Sequence, residues 1–427
     1  MRRVWLSALF AGLLLAGLPA LLGWQAEQSY RELEQRLGLL GWQVERSDYR
    51  RGWFQSAAET DLRALPLPGA TAEPLRMTLR SRILHGPLGS QGDPLLAEVE
   101  TELLQQGQRL PLDHRPALLR TRIDFAGRGD SRLRLPAFEL PANAQRPATT
   151  SEGGSGLLSF HLADPGLQGR FELAEVRLQH PTGNRLTGQG LRWDFDLLPD
   201  PSGLWQGKTG LEAALLELVS PAGGPRERIV LADLKTRLDS RLEGDRLRLD
   251  LAIQLARLEA ADQPFGPASV RLRLEGLPAQ ELALLQQRPS APLGLADLLP
   301  LLRGNPALDL SELRLTTPRG EIAGHLRLGL NGMDPSAEPN LLLALTKLRG
   351  KVSLRLPEAI LLQVLEQGAR QSLVAADAAE MARQRVEAFV QNGWLAREGD
   401  QLRLDGRLES GRLTLNGRPL GLPLGIR

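Results

Sequence analysis

The sequence predicts a mainly β (α+β) protein: a single N-terminal transmembrane helix, then extensive curved antiparallel sheets with one long C-terminal helical segment packed on them. Three observations carry this. Val4 to Trp24 is a run of 21 residues without a charge. From Leu75 to Leu415, apolar residues alternate with Arg, Asp, Glu, Ser and Thr in run after run. Beyond residue 40, the one sustained helical pattern is Pro357 to Asn392.

The N-terminal run matches the length a helix needs to cross a hydrocarbon core of about 30 Å. Arg2 and Arg3 precede it, Trp5 and Trp24 sit at its ends, and Glu27 is the first charge after it. Positive residues on the short side place residues 1–3 in the cytoplasm and the body outside, and indole rings favour the membrane interface. A cleaved signal peptide is the rival reading. It fits less well, because the apolar region is long and Leu18, Leu21, Leu22 and Trp24 are poor cleavage residues.

Residues 25–40 continue as a membrane-proximal helix, with Tyr30, Leu33, Leu37 and Leu40 on one face. Residues 41–140 read as a first β region. Residues 141–156 (PANAQRPATTSEGGSG) read as a linker, being polar and rich in Gly, Pro, Ser and Thr. Residues 157–427 form the main β region. Its longest alternating run is Leu247, Leu249, Leu251, Ile253 and Leu255, and another is Ile322, Leu326, Leu328 and Leu330. Period two with one polar face is the signature of an antiparallel sheet with one dry side. Within 357–392, Pro357 suits a first helical position, Ile360, Leu361, Val364 and Leu365 make an apolar face, Gly368 suits a break, and Gly393 suits a terminator.

Composition narrows the function classes. The 427 residues are 42% hydrophobic but only 4% aromatic, so Leu, Ala and Val must supply the core. The net charge of +2, on 52 basic and 50 acidic residues, gives no field suited to nucleic acid. The absence of cysteine removes disulfides, thiol nucleophiles and Cys-type zinc sites together.

Separated stretches share one pattern: Ala26-Glu27 with Tyr30; the block Tyr49, Arg50, Arg51, Gly52, Trp53, Phe54, Gln55, Ser56 with Thr60; Leu315 to Gly320; Leu356-Pro357-Glu358; and Gly411 to Leu420. In these the chain resembles the YdgA-like family of bacterial inner-membrane proteins, a domain of unknown function. The resemblance spans essentially the whole chain. Its most specific piece is Tyr49, Arg51, Gly52, Trp53, Phe54 and Ser56. It implies a periplasmic, self-associating body on a single inner-membrane anchor, and it supplies no catalytic residues.

The residues themselves carry no catalytic or metal signature. His85, His114, His161, His180 and His325 show no His-x-x-x-His or Glu-x-x-His spacing, and no Gly-x-Ser-x-Gly elbow or phosphate-cradling loop occurs. His161 with Asp164 is a weak metal pair beside Pro165. Asp194 and Asp196 have the spacing of a strand's solvent face as much as of a glycosidase pair. The aromatic and Arg-rich block 49–56 suits either a lipid head-group site or a structural corner in which Gly52 takes a special conformation.

No catalytic residue, metal or cofactor is therefore expected, and the protein is read as non-enzymatic. Its first functional reading is an apolar-ligand module, in which Leu247, Leu249, Leu251, Ile253, Leu255, Ile322, Leu326 and Leu328 line a groove for lipid or lipoprotein acyl chains. The second is a structural module of the envelope that self-associates through the same Leu faces. An envelope hydrolase is third. Expected partners are inner-membrane lipid, a second copy and a lipid or lipoprotein, with no nucleic acid.

Overall fold

In the computed structural model the described residues are 22–32, 34, 37, 42–64, 76–86, 88–105, 108–109, 118–142, 147–220, 228–260, 263–287, 295–333, 341–371, 377–409 and 412–420. The protein is mainly β, with 65% strand against 18% helix. Residues 1–21, which include residues 4–21 of the apolar run, lie outside the described residues, and among the described residues no helix is long and apolar enough to cross a membrane. The chain divides into two compact units, residues 1–209 with 288–292 and residues 210–287 with 293–427.

In the first unit, residues 22–32 are helical (α1). The strands are β1 (Trp42–Arg50), β2 (Gln55–Ala64), β3 (Arg76–His85), β4 (Ala97–Gln105), β5 (Gln108–Arg109), β6 (Leu118–Ile123), β7 (Arg128–Leu135), β8 (Phe138–Leu140), β9 (Ala148–His161), β10 (Asp164–Gln179) and β11 (Arg185–Pro199). β12 (Trp205–Val219) runs across the boundary between the units. The ladder runs β1-β2-β3-β4-β6-β7-β9-β10-β11, antiparallel throughout. β8 takes over from β7 along the other half of β9.

Helix α1 closes one end of this sheet. Ala26 packs with Ala58, Ile83 and Ala97, and Tyr30, Tyr49 and Val99 lie against that cluster. Leu22 packs with Leu96 and Ile123, with Phe160 and Leu162 beside them. The alternation Ser56, Ala58, Thr60 and Leu62 puts small residues under the helix, and all four are buried.

Residues 148–156 are not a linker. They form the first nine residues of β9, paired with β10 and with β8 and β7. Composition misleads here because the glycines make room for neighbours. A Cβ on Gly156 would stand 2.6 Å from the Phe171 ring, and one on Gly153 would stand 2.7 Å from the Leu135 carbonyl. Gly153 also takes a φ of 96°, which an L side chain resists.

The second unit continues with β13 (Arg228–Glu243), β14 (Arg246–Leu255), β15 (Arg257–Ala260), β16 (Gln263–Phe265) and β17 (Ala268–Pro278). Three short helical pieces follow: α2 (Ala279–Gln287), α3 (Leu295–Leu298) and a 3-10 turn (Leu299–Gly304). Then come β18 (Ala307–Thr317), β19 (Gly320–Leu330), α4 (Leu341–Lys347), β20 (Leu348–Pro357), α5 (Glu358–Gln371), α6 (Ala378–Gln391), β21 (Ala396–Glu398), β22 (Gln401–Glu409), β23 (Arg412–Leu415) and β24 (Arg418–Leu420). The ladder runs β13-β14-β17-β18-β19-β20-β22-β23-β24, again antiparallel at every step.

The C-terminal helical segment is two helices. Pro357 ends β20 opposite Gln401, so the first helix begins at Glu358. Gly368 lies inside α5 and marks no break. α6 seals a small core in which Val386, Leu395 and Leu402 are buried and Leu356, Leu361, Leu365, Phe389 and Leu404 pack around them. Asn416, at a φ of 46°, ties this corner together. Its carboxamide donates to the carbonyls of Gly393 and Trp394 and accepts from the Asp405 N–H.

Candidate apolar face and membrane-proximal block

The register of the second unit aligns its leucines into rows. Leu251 stands between Leu238 and Leu272, and Leu272 faces Leu310, which faces Leu326, which faces Val352. The next row runs Leu249, Leu274, Leu308, Leu328 and Gly350. On the other side run Ile253, Val270, Leu313, Gly324 and Leu354. Leu255 and Ile322 extend the array through Ala268 and Leu315. The expected residues Leu249, Leu251, Ile253, Leu255, Ile322, Leu326 and Leu328 are thus brought onto one face. All of them are half-buried, and of the expected eight only Leu247, at the strand's start, is buried.

Five strands spaced at about 4.8 Å and six residue steps of about 3.3 Å make this face roughly 19 Å by roughly 20 Å. That is a footprint on the order of 400 Å², within the range of the largest apolar patch on a typical monomer, which is often functional.

The opposite face is charged and cross-linked. Arg273 donates to Asp250 at 2.6 Å, Arg248 to Asp250 at 2.9 Å, and Arg271 pairs with Glu312 at 3.1 Å. Burial pushes the Asp250 carboxyl up, but its hydrogen bonds to Arg273 and Arg248 outweigh this and hold it below the ordinary carboxylate range. The sheet thus has one face that water satisfies and one that it does not.

The first unit repeats this division. Phe171 and Trp193 stack with ring centres 5.8 Å apart, Trp193 and Phe195 lie at 4.7 Å, and Trp193 stays exposed. On the other face Asp194 is held below its usual range, first by Arg192 and then by Arg170, against the upward push of burial.

The block 49–56 turns β1 into β2. Gly52 sits where a Cβ would run into the Gln55 carbonyl. Tyr49 points back into the core beside Tyr30, with ring centres 5.6 Å apart, and burial raises both phenols above their ordinary pKa. Arg51 pairs with Glu27 at 3.8 Å, and Trp53 and Phe54 are exposed. Ser56 hydrogen-bonds the His85 imidazole at 3.0 Å. Sequence reasoning missed that pair and the buried hydroxyl pairs Tyr30–Thr60, Ser81–Thr101 and Thr121–Ser131. Small polar residues at inward positions, as in Ser56-Ala57-Ala58-Glu59-Thr60, were the available signal.

Among the described residues, two Ser–His arrangements can be compared with catalytic ones. Ser56 and His85 are both shut away from solvent, so no substrate reaches them. His325, Ser353 and Asp405 lie in register across three strands, but the serine stands between the other two, whereas a nucleophilic triad needs the histidine there. His161 and Asp164 cap their own turn, accepting the N–H groups of Ala163 and Gly166. His114 lies outside the described residues. Among the described residues no cluster of His, Asp and Glu is placed to hold a metal.

Comparison with characterised proteins and with solved structures finds no match for the chain. A family model does match, over residues 4–423: the chain belongs to a family of bacterial proteins of unknown function, DUF945.

Proposed function

We propose that the protein is a non-enzymatic lipid-binding module. In this reading it is anchored in the bacterial inner membrane by residues 4–24, with its body in the periplasm, and the Leu face of β14 to β20 receives acyl chains. The observation that supports this best is the half-buried array itself. Fifteen positions in three registered rows present thirteen Leu, Ile or Val side chains and two glycines, and none of them is buried. A filled core would exclude them from water. A face left wet over on the order of 400 Å² invites an apolar occupant. Rows of Leu offer contact area without polar groups to fix an orientation, which suits flexible chains better than rigid ligands.

The test is face-specific photocrosslinking in cells, with a photoreactive amino acid at Leu272 and, separately, at Arg273 on the other face. Lipid adducts at Leu272 and none at Arg273 are expected. Adducts to a second copy of the chain at Leu272 would instead favour a self-associating envelope module. No adduct to either would remove the groove reading. The orientation is tested separately by a phosphatase fused after Arg427, which should be active.

A further inference from the structure

The connections of the first unit separate into two ends. The turn 51–54, residue 86 with residues 88–96, and the turn 124–127 all lie at the end of the sheet where α1 begins. Contacts fix this. Gly23 lies against His85, so that a Cβ on it would stand 2.7 Å from the imidazole. The His85 N–H donates to the Phe54 carbonyl at 3.0 Å, the Leu96 N–H donates to the Ile123 carbonyl at 2.9 Å, and Leu22 packs on Leu96 and Ile123. This end carries Trp24, Trp53, Phe54, Leu88 and Phe125, which are 54–58% exposed. At the other end the described residues 141–142 and 180–184 hold no large apolar side chain, and Leu186, just beyond, is 38% exposed. Exposed aromatics are otherwise scarce in a chain with 4% aromatic content, so their collection at one end is not a consequence of supply.

We propose that this end of the first unit seats against a phospholipid bilayer, with Trp24, Trp53, Phe54, Leu88 and Phe125 in the headgroup layer. The occupant follows from where the chain leaves. The uncharged run from Val4 ends at Trp24, on this end and on no other, so any bilayer that the run crosses meets these side chains first. Trp and Phe rings gain from the interfacial region, where one edge is wet and the other apolar. Arg50 and Arg51 stand at the same turn, exposed while pairing with Asp48 at 2.9 Å and Glu27 at 3.8 Å, within reach of anionic headgroups. The proposal rests on residues 4–24 crossing the membrane, and it adds that the body is seated rather than tethered at a distance.

Because the chain has no cysteine, single cysteines report without background. The full-length protein is reconstituted in phosphatidylethanolamine–phosphatidylglycerol vesicles. An environment-sensitive fluorophore is placed in turn at Phe54→Cys, Leu88→Cys, Phe125→Cys, Thr182→Cys and Leu13→Cys, with circular dichroism to confirm each fold. Lipids brominated near the headgroup should quench the first three several-fold more than Thr182→Cys. Deep-brominated lipids should quench Leu13→Cys. Leu13→Cys quenched while the three rim positions behave like Thr182→Cys would overturn the seating and leave the anchor standing. Leu13→Cys unquenched would overturn the anchor and the seating with it.

Discussion

Glutamate in place of Leu251 separates a wet apolar face from a covered one. Leu251 is half-buried, with Leu238 and Leu272 opposite it on either side. Each cross-strand apolar pair is worth roughly 0.2–1 kcal/mol, so losing both costs up to about 2 kcal/mol. The new carboxylate keeps its water and adds little to this. In a unit of this size each kcal/mol moves the melting temperature by about 2–4 °C, which gives a fall of up to about 8 °C. If a second layer covered the face, an unpaired buried charge would cost about 3–5 kcal/mol on top of the lost contacts, and the unit would melt roughly 7–28 °C lower or fail to fold. The assay is a thermal melt of the full chain in detergent, paired with the Leu272 lipid crosslink in cells. A modest fall in melting temperature with loss of the lipid adduct is expected. Collapse of the fold would refute the reasoning from half-burial, and an undiminished adduct would refute the groove.

Three further outcomes follow from named contacts. Gly23→Val places a side chain against His85, which is 1% exposed and has nowhere to go; it should destabilise the first unit by about 1–3 kcal/mol and expose α1 to protease, and wild-type protection would contradict that packing. Leu402→Ala empties a fully buried position beside Val386 and Leu395 and should cost about 2–5 kcal/mol in urea titration, whereas a loss under about 1 kcal/mol would mean that α6 does not seal a core there. Asp250, Asp194 and Asp405 all have depressed pKa values when folded, so their contribution is complete above the unfolded value near 3.8 and disappears as pH falls below it. The melting-temperature gap between wild type and Asp250→Asn should therefore be constant above about pH 5 and close below the carboxylate range, and a gap that widens on acidification would reverse the assigned sign.

The second unit was largely legible because its strands obey one rule. Leu247 to Leu255 alternate without interruption and Ile322 to Leu330 do so apart from Gly324, and they fall in β14 and β19. Register was not legible, since period two fixes which residues share a face but not which neighbours they meet. The first unit hid more. The first part of β9 was invisible because its glycines make room for neighbours such as the Phe171 ring on the next strand, and the partners that need the room are fifteen or more residues away in sequence. β1 and β2 were obscured by hydroxyl side chains at inward positions, which resemble a solvent face until Tyr30, Thr60, Ser81 and Thr101 are seen to satisfy one another. The block at 49–56 announced itself by its aromatics, yet its two ends do opposite things: Tyr49 and Ser56 turn into the core while Trp53 and Phe54 turn out.

The glycines opposite large side chains bear on motion across the sheet. Phe160 lies over Gly129, Phe171 over Gly156, Phe195 over Gly169, Leu328 over Gly350 and Val352 over Gly406. Each large group reclines on its neighbour's strand instead of standing upright, so the apolar surface is paved more than it is socketed. A paved surface has shallow steps from one strand to the next, and a hydrocarbon chain lying on it meets low barriers to sliding. A methyl at Gly350 would stand 2.5 Å from the Leu328 side chain and prop it up. That leaves the strands paired, and under the proposed lipid-binding reading it would set a ridge across the path of an acyl chain, slowing its passage while leaving occupancy at either side intact.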